Sequence, residues 1–136
     1  MKRVFTVIVV IAIWIVSVGA ERNEPLQNDG HIDFEAAGFQ KMSSTAYCMG
    51  HHTADGSPVH EGGCACSPDH IGDIAVIYTL EGNFLGYYIC NDTGANGVYA
   101  GTVIDIYRCN LTRCRSYMKV IGPEQKVYVK WISGEG

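Results

Sequence analysis

From Met42 to Ile132 the apolar residues come in short runs, each closed by Gly, Asn, Asp or Pro. That punctuation is the signature of an all-β domain. It predicts strands over Met42–Cys48, Ile74–Thr79, Phe84–Cys90, Val103–Tyr107 and Lys126–Ile132, and a shorter one near Gly63–Cys66. Leu80-Glu81-Gly82-Asn83 reads as a hairpin turn between two of them. One helix is expected, over Asn110–Lys119, capped by Asn110 and ended by Ile121-Gly122-Pro123. Six or so short strands at this spacing favour a small closed barrel over an open sheet. Alternation puts Val127, Val129 and Trp131 on one face of the last strand, and Tyr128, Lys130 and Ile132 on the other.

Ahead of this region stands a hydrophobic leader. Met1-Lys2-Arg3 is positively charged, Val4–Ala20 is apolar apart from Thr6 and Ser17, and Val18-Gly19-Ala20 supplies small residues before Glu21. Residues 1–20 therefore read as a signal peptide or a membrane anchor through residues 4–20, two segments with one physical signature. Either way the rest of the chain is expected to be exported, to the cell envelope or beyond. Residues 21–41 are polar and aperiodic and read as a linker, leaving 42–133 as the domain.

Two of the ten basic residues belong to the leader. The remaining eight face fourteen acidic ones, a formal −6. Such a chain has no electrostatic reason to seek phosphate backbones, so nucleic acid is not an expected partner. All six cysteines, Cys48, Cys64, Cys66, Cys90, Cys109 and Cys114, follow the leader. In an oxidising compartment they imply up to three disulfides, drawn from 15 pairings that sequence does not choose between. Cys109 and Cys114 are near enough in sequence to pair, whereas Cys64 and Cys66 point the same way from a strand and would bond elsewhere. Cys64-x-Cys66-x3-His70 is the rival metal reading. Its first spacing is tighter than zinc sites favour, so neither metal nor cofactor is expected.

The chemistry-bearing segment runs from Phe84 to Tyr107. Asp105 lies inside the apolar run Val103-Ile104-Asp105-Ile106-Tyr107, where a charge is costly unless paired or turned to water. Alternation places it with Val103 and Tyr107, opposite Ile104 and Ile106. A carboxyl flanked by hydrophobes is the setting that raises a pKa toward a general acid's range. Asp92, in Asn91-Asp92-Thr93-Gly94 at the mouth of a Gly-rich loop, is expected to be solvated and ionised. A protonated carboxyl beside a charged one is the pairing that glycosidic chemistry uses. Asp-Thr-Gly is also an ordinary turn opener, and Asp105 also suits a structural carboxylate that bonds a loop.

In order between Ser44 and Ile132 stand Ser44-Thr45-Ala46-Tyr47, Thr53-Ala54-Asp55-Gly56, Cys64-Ala65-Cys66-Ser67-Pro68, Ile71-Gly72, Gly86-Tyr87, Asp92-Thr93-Gly94, Gly101 and Ile104-Asp105-Ile106-Tyr107. In this order and spacing the chain resembles the secreted 3D domain, named for its three aspartates. Such domains look like the catalytic part of membrane-bound lytic transglycosylase A. They share a six-stranded double-psi β-barrel with barwin, the expansins and barwin-like endoglucanases. The resemblance implies a groove for peptidoglycan or a related β-1,4-linked glycan, with Asp105 as acid and Asp92 beside it. Tyr47, Thr53, Gly94 and Tyr107 would be the substrate-binding positions, with Tyr87 a further aromatic candidate and His51 and His52 at the groove edge. Two positions depart from the family pattern. Ser67 stands where the first aspartate is usual, with Asp69 and Asp73 nearby, and the loop after Gly94 is longer.

The expected protein is thus a monomeric, exported glycan-cleaving enzyme, lytic or hydrolytic, that acts on N-acetylmuramic acid–N-acetylglucosamine bonds. The alternative, favoured by Ser67, is a non-catalytic, expansin-like wall-binding module. A third reading is a disulfide-stapled extracellular barrel that serves protein contacts.

Overall fold

The described residues form eight strands, the longer ones rich in β-branched and aromatic residues: β1 (Leu26–Asn28), β2 (His31–Asp33), β3 (Gln40–Tyr47), β4 (Gly63–Ala65), β5 (Ile74–Thr79), β6 (Phe84–Asp92), β7 (Val103–Tyr107) and β8 (Lys126–Ile132). Among the described residues a 3-10 turn, Pro68–His70, and one helix, α1 (Leu111–Ile121), complete the elements. The structure is a computed structural model and describes residues 26–28 and 31–134. The expected leader over residues 1–20 lies outside them. Among the described residues no helix is long and apolar enough to cross a membrane.

The last six strands close into a barrel in the order β3-β7-β4-β6-β5-β8. β3 runs parallel to β7 and β4 parallel to β6, and the other four neighbours are antiparallel. Exchanging β3 with β6, β4 with β7 and β5 with β8 returns the same ring with the same directions. This two-fold pattern is the double-psi barrel expected from the resemblance. Each parallel pair needs a crossover rather than a hairpin, which draws residues far apart in sequence to one end of the barrel.

The strand predictions for β5, β7 and β8 match residue for residue, and the hairpin forms at Leu80–Asn83. There Gly82 takes a φ of 91°, open to glycine without strain, and Thr79 and Asn83 close the turn with a 2.8 Å backbone bond. α1 begins as expected: the Asn110 side chain accepts from the Arg113 amide at 2.9 Å. It runs on to Ile121, because Tyr117 and Ile121 bury against the barrel. Ile77, Ile104, Ile106, Val127 and Val129 are fully buried inside, with Trp131 packed at the edge of the same core.

The segment expected as a linker over 21–41 is, in its described part, no free tether. β1 and β2 pair, and β3 starts at Gln40. Phe34 stacks on Tyr128 at 4.4 Å and meets Phe39 edge-on at 5.4 Å; both are buried against Val76 and Tyr78 on the outside of the barrel. Lys130 Nζ closes the turn by donating to the Ala37 carbonyl at 2.8 Å. Two isolated phenylalanines in a polar stretch carry no period, yet each buries enough apolar area to fix the segment.

Cys66 and Cys90 form a disulfide. Cys109 and Cys114, near enough in sequence to pair, are not bonded: Cys109 is exposed and Cys114 is buried on α1.

α1 is fastened to β3 by a buried hydroxyl pair, Ser44 Oγ and Tyr117 Oη, 2.7 Å apart. Tyr117→Phe leaves the Ser44 hydroxyl unpaired in a closed site and should lower stability by about 1–2 kcal/mol. Ser44→Ala combined with Tyr117→Phe should recover part of that loss, and urea unfolding of the three variants measures both.

Candidate functional site

The two aspartates are brought together by strand register. Thr45 on β3 lies opposite Asp105 on β7, Asp105 lies opposite Ala65 on β4, and Ala65 lies opposite Asp92 on β6. Thr45, Asp105, Ala65 and Asp92 therefore form one row across four adjacent strands. A small residue separates the carboxyl-bearing strands, whose backbones stand roughly 9–10 Å apart at two strand spacings. Asp105 shares its half-buried face with Val103 and Tyr107, while Ile104 and Ile106 point into the core, as alternation predicts.

The two carboxyls are held differently. Asp105 Oδ1 accepts a single 2.8 Å bond from the Thr45 hydroxyl. Asp92 Oδ1 accepts from the amides of Thr93 at 2.9 Å and Ala54 at 3.0 Å, and Oδ2 accepts from the Tyr47 hydroxyl at 3.3 Å. Burial pushes the Asp105 pKa up, the Thr45 hydroxyl pulls it partly back, and the nearby Asp92 charge raises it again. The Tyr47 phenol is raised, first by burial and then by Asp92, so it stays a neutral donor. Among the described residues neither aspartate belongs to an ion pair. The sequence has no Lys or Arg between Lys41 and Arg108. A proton is thus the available means of relieving repulsion between these two carboxyls.

Tyr107 joins the row's edge, its ring 5.3 Å from that of Tyr47 in an edge-on contact. Thr53 sits nearby but is buried. Its hydroxyl donates to Asp55 Oδ1 at 2.6 Å, within a tight turn that delivers the Ala54 amide to Asp92. Gly94 starts the loop after β6, where a Cβ would come within 3.1 Å of Val98. Tyr87 stands apart: it is exposed, five residues before Asp92 on β6, and edge-on to Phe84 at 5.2 Å. His51 and His52 are exposed, and His52 bridges to Pro58.

Of the two acids near the Ser67 position, Asp69 is exposed, and Asp73 Oδ2 meets His70 Nδ1 at 3.0 Å, with that imidazole stacked on Trp131 at 4.1 Å. Neither touches Asp92 or Asp105. Cys66 is tied up in its disulfide, and among the described residues no group of three or more His, Cys, Asp or Glu is placed to hold a metal ion.

Sequence reasoning assigned no role to Thr45 or Ala65. The one signal for Thr45 was its parity with Tyr47, two residues on along the same strand face. Ala65 carried no signal, because its importance is its small size between two neighbours that only the register reveals.

No family model and no curated protein matches the chain. Among solved structures it is similar to the Streptomyces papain inhibitor (SPI), at 15% identity over 68% of this chain and 94% of that one, with a TM-score of 0.48.

The Asp105 carboxyl should titrate above the ordinary Asp range, and Thr45→Val should move it higher still because a bond that favours the anion is lost. Thr45→Ser should stay near the parent value. Side-chain carboxyl NMR across pH 3–8 reads all three. A carboxyl whose pKa is raised in the folded state binds its proton more tightly there. That contribution to stability is full below the unfolded pKa of about 3.9 and is lost as pH rises through the folded value. Asp105→Asn should therefore be more stable than the parent at pH 7, and its advantage should shrink toward pH 3.

Proposed function

We propose that the protein is an exported enzyme that cleaves β-1,4 bonds between N-acetylmuramic acid and N-acetylglucosamine in peptidoglycan. The observation that carries this reading is the asymmetry of the two carboxyls in one cation-free row. Asp105 is desolvated and has one donor, while Asp92 is met by three. The first suits a group that holds a proton, the second a group that serves as an anion. The 3D-domain resemblance of the motifs supports the same assignment.

In this reading the glycan lies along the row and Asp105 gives its proton to the glycosidic oxygen as the bond to C1 breaks. Asp92 faces the positive charge that develops on the sugar ring, with Tyr47 and its two amides fixing the carboxylate. In the lytic branch the Asp105 carboxylate then takes the proton of the muramic 6-hydroxyl, whose oxygen closes on C1 to give a 1,6-anhydro end. In the hydrolytic branch a water attacks C1 and Asp92 takes its proton. Tyr107 borders the row as a ring for sugar contact.

One observation favours a second reading, a non-catalytic wall-binding module. Ser67 replaces a family aspartate, and the nearby Asp73 is engaged by His70 rather than by the row.

Incubating the purified chain with sacculi and analysing soluble products by mass spectrometry decides between them. The parent should release muropeptides, and Asp105→Asn should release at least ~100-fold fewer while still sedimenting with sacculi. Anhydro ends identify the lytic branch and reducing ends the hydrolytic one. Equal release by parent and variant would remove Asp105 from its role. Sedimentation of the parent without any product would establish the binding module instead.

A further inference from the structure

One face of β3 is committed to α1. Alternation turns Ser44, Ala46 and Cys48, at the strand's end, to the same side. On the helix, Cys114 and Tyr117 are three residues apart and share a face. The contacts follow this pattern in order. Ser44 Oγ meets Tyr117 Oη at 2.7 Å, Ala46 and Cys114 line one hollow, and the Cys48 thiol neighbours the Cys114 thiol closely enough to raise its pKa. The backbone is fixed at both ends of this seam: the Arg108 amide donates to the Tyr47 carbonyl at 2.8 Å, and the Cys114 amide to the Asn110 carbonyl at 3.0 Å. Cys114 is buried, whereas Cys48 is half-exposed. The other two free cysteines have different surroundings. Cys64 is sealed in the core, and Cys109 lies outside with its sulfur 3.5 Å from Asn110 Nδ2.

We propose that Cys48 and Cys114 are a redox pair that closes as a second disulfide, stapling α1 to the strand that carries Thr45 and Tyr47. This stands on the helix–strand seam and is independent of the glycan reading. The oxidant is a small-molecule or protein disulfide. Half-exposed Cys48 attacks it as the thiolate and forms a mixed disulfide, releasing one thiolate. Cys114 then loses its proton and attacks the Cys48 sulfur, which expels the second thiolate. Two protein thiols are oxidised to one disulfide, and the reagent is reduced to two thiols. The order follows from access and from burial, which pushes the Cys114 thiol up to about 11, with the neighbouring Cys48 adding to the rise.

The test is disulfide mapping of the full chain after equilibration with oxidised glutathione and acid quenching. Pepsin is the suitable protease, because the absence of Lys and Arg from 42 to 107 leaves four cysteines in one tryptic peptide. The expected result is a peptide pair joined through Cys48 and Cys114, alongside the Cys66–Cys90 pair. Recovery of Cys114 joined to Cys109, or of Cys48 and Cys114 both alkylated, would overturn the proposal. Cys48→Ser leaves buried Cys114 in place and should melt on the order of 10 °C below the oxidised parent. That gap should close when parent and variant are both reduced, and equal melting of the two oxidised forms would also overturn it.

Discussion

Gly63–Ala65 gives β4 three residues with which to pair with β6 on one side and β7 on the other. All three are buried. At Gly63 a Cβ would come within 2.9 Å of the Asn91 side chain, so the strand lies closer to β6 than any larger residue permits. Immediately beyond its end, Cys66 bonds to Cys90 on β6. A strand this short holds few ladder bonds of its own, and the disulfide and the close approach at Gly63 keep it in place. The row of Thr45, Asp105, Ala65 and Asp92 depends on that placement, because β4 is the spacer between the two carboxyl strands. A slip of β4 by one residue would turn Ala65 inward and a core cysteine outward, into the gap between the aspartates.

Electrostatics then follows from what the neighbourhood lacks. A buried carboxyl in most proteins meets an arginine or a lysine, and the pair is ionised. Between residues 42 and 107 there is neither, so the row has to be settled by hydrogen bonds and protons. Three donors on Asp92 and one on Asp105 divide the tasks without any cation. The chain's net negative charge, which first argued against nucleic acid, bears on the site as well. Its local share is the Asp92 charge, which adds to the burial that raises the Asp105 pKa.

The barrel was legible because short apolar runs and their turn residues are local signals: all six barrel strands could be placed from them, and the helix from its cap and stop residues, within about two residues. Asp105 was legible for the same reason, as a charge that breaks an apolar run. Its partners were not. Thr45 and Asp105 are sixty residues apart and meet through a parallel pairing, and alternation says which face a residue takes but never which strand lies beside it. Cysteine pairing was left open on the same ground. Sequence did not choose among the 15 pairings, and it is the register of β4 against β6 that puts Cys66 against Cys90. The Phe34–Phe39 turn escaped notice because two aromatic anchors have no period to read.

β3 has two working sides, and this joins the site to the rest of the fold. One side presents Thr45 to Asp105 and Tyr47 to Asp92. The other rests Ser44, Ala46 and Cys48 on α1. A strand moves as a unit, so a shift of the helix displaces the donor to Asp105 and the donor to Asp92 together. The two carboxyls are therefore coupled through their donors as well as through their charges. Loosening the seam would weaken the Thr45 bond that holds the Asp105 pKa down and, at the same time, the Tyr47 bond to Asp92. The first change favours retention of the proton on Asp105. The packing of a single helix, on the other side of β3 from both aspartates, thus bears directly on the protonation of Asp105.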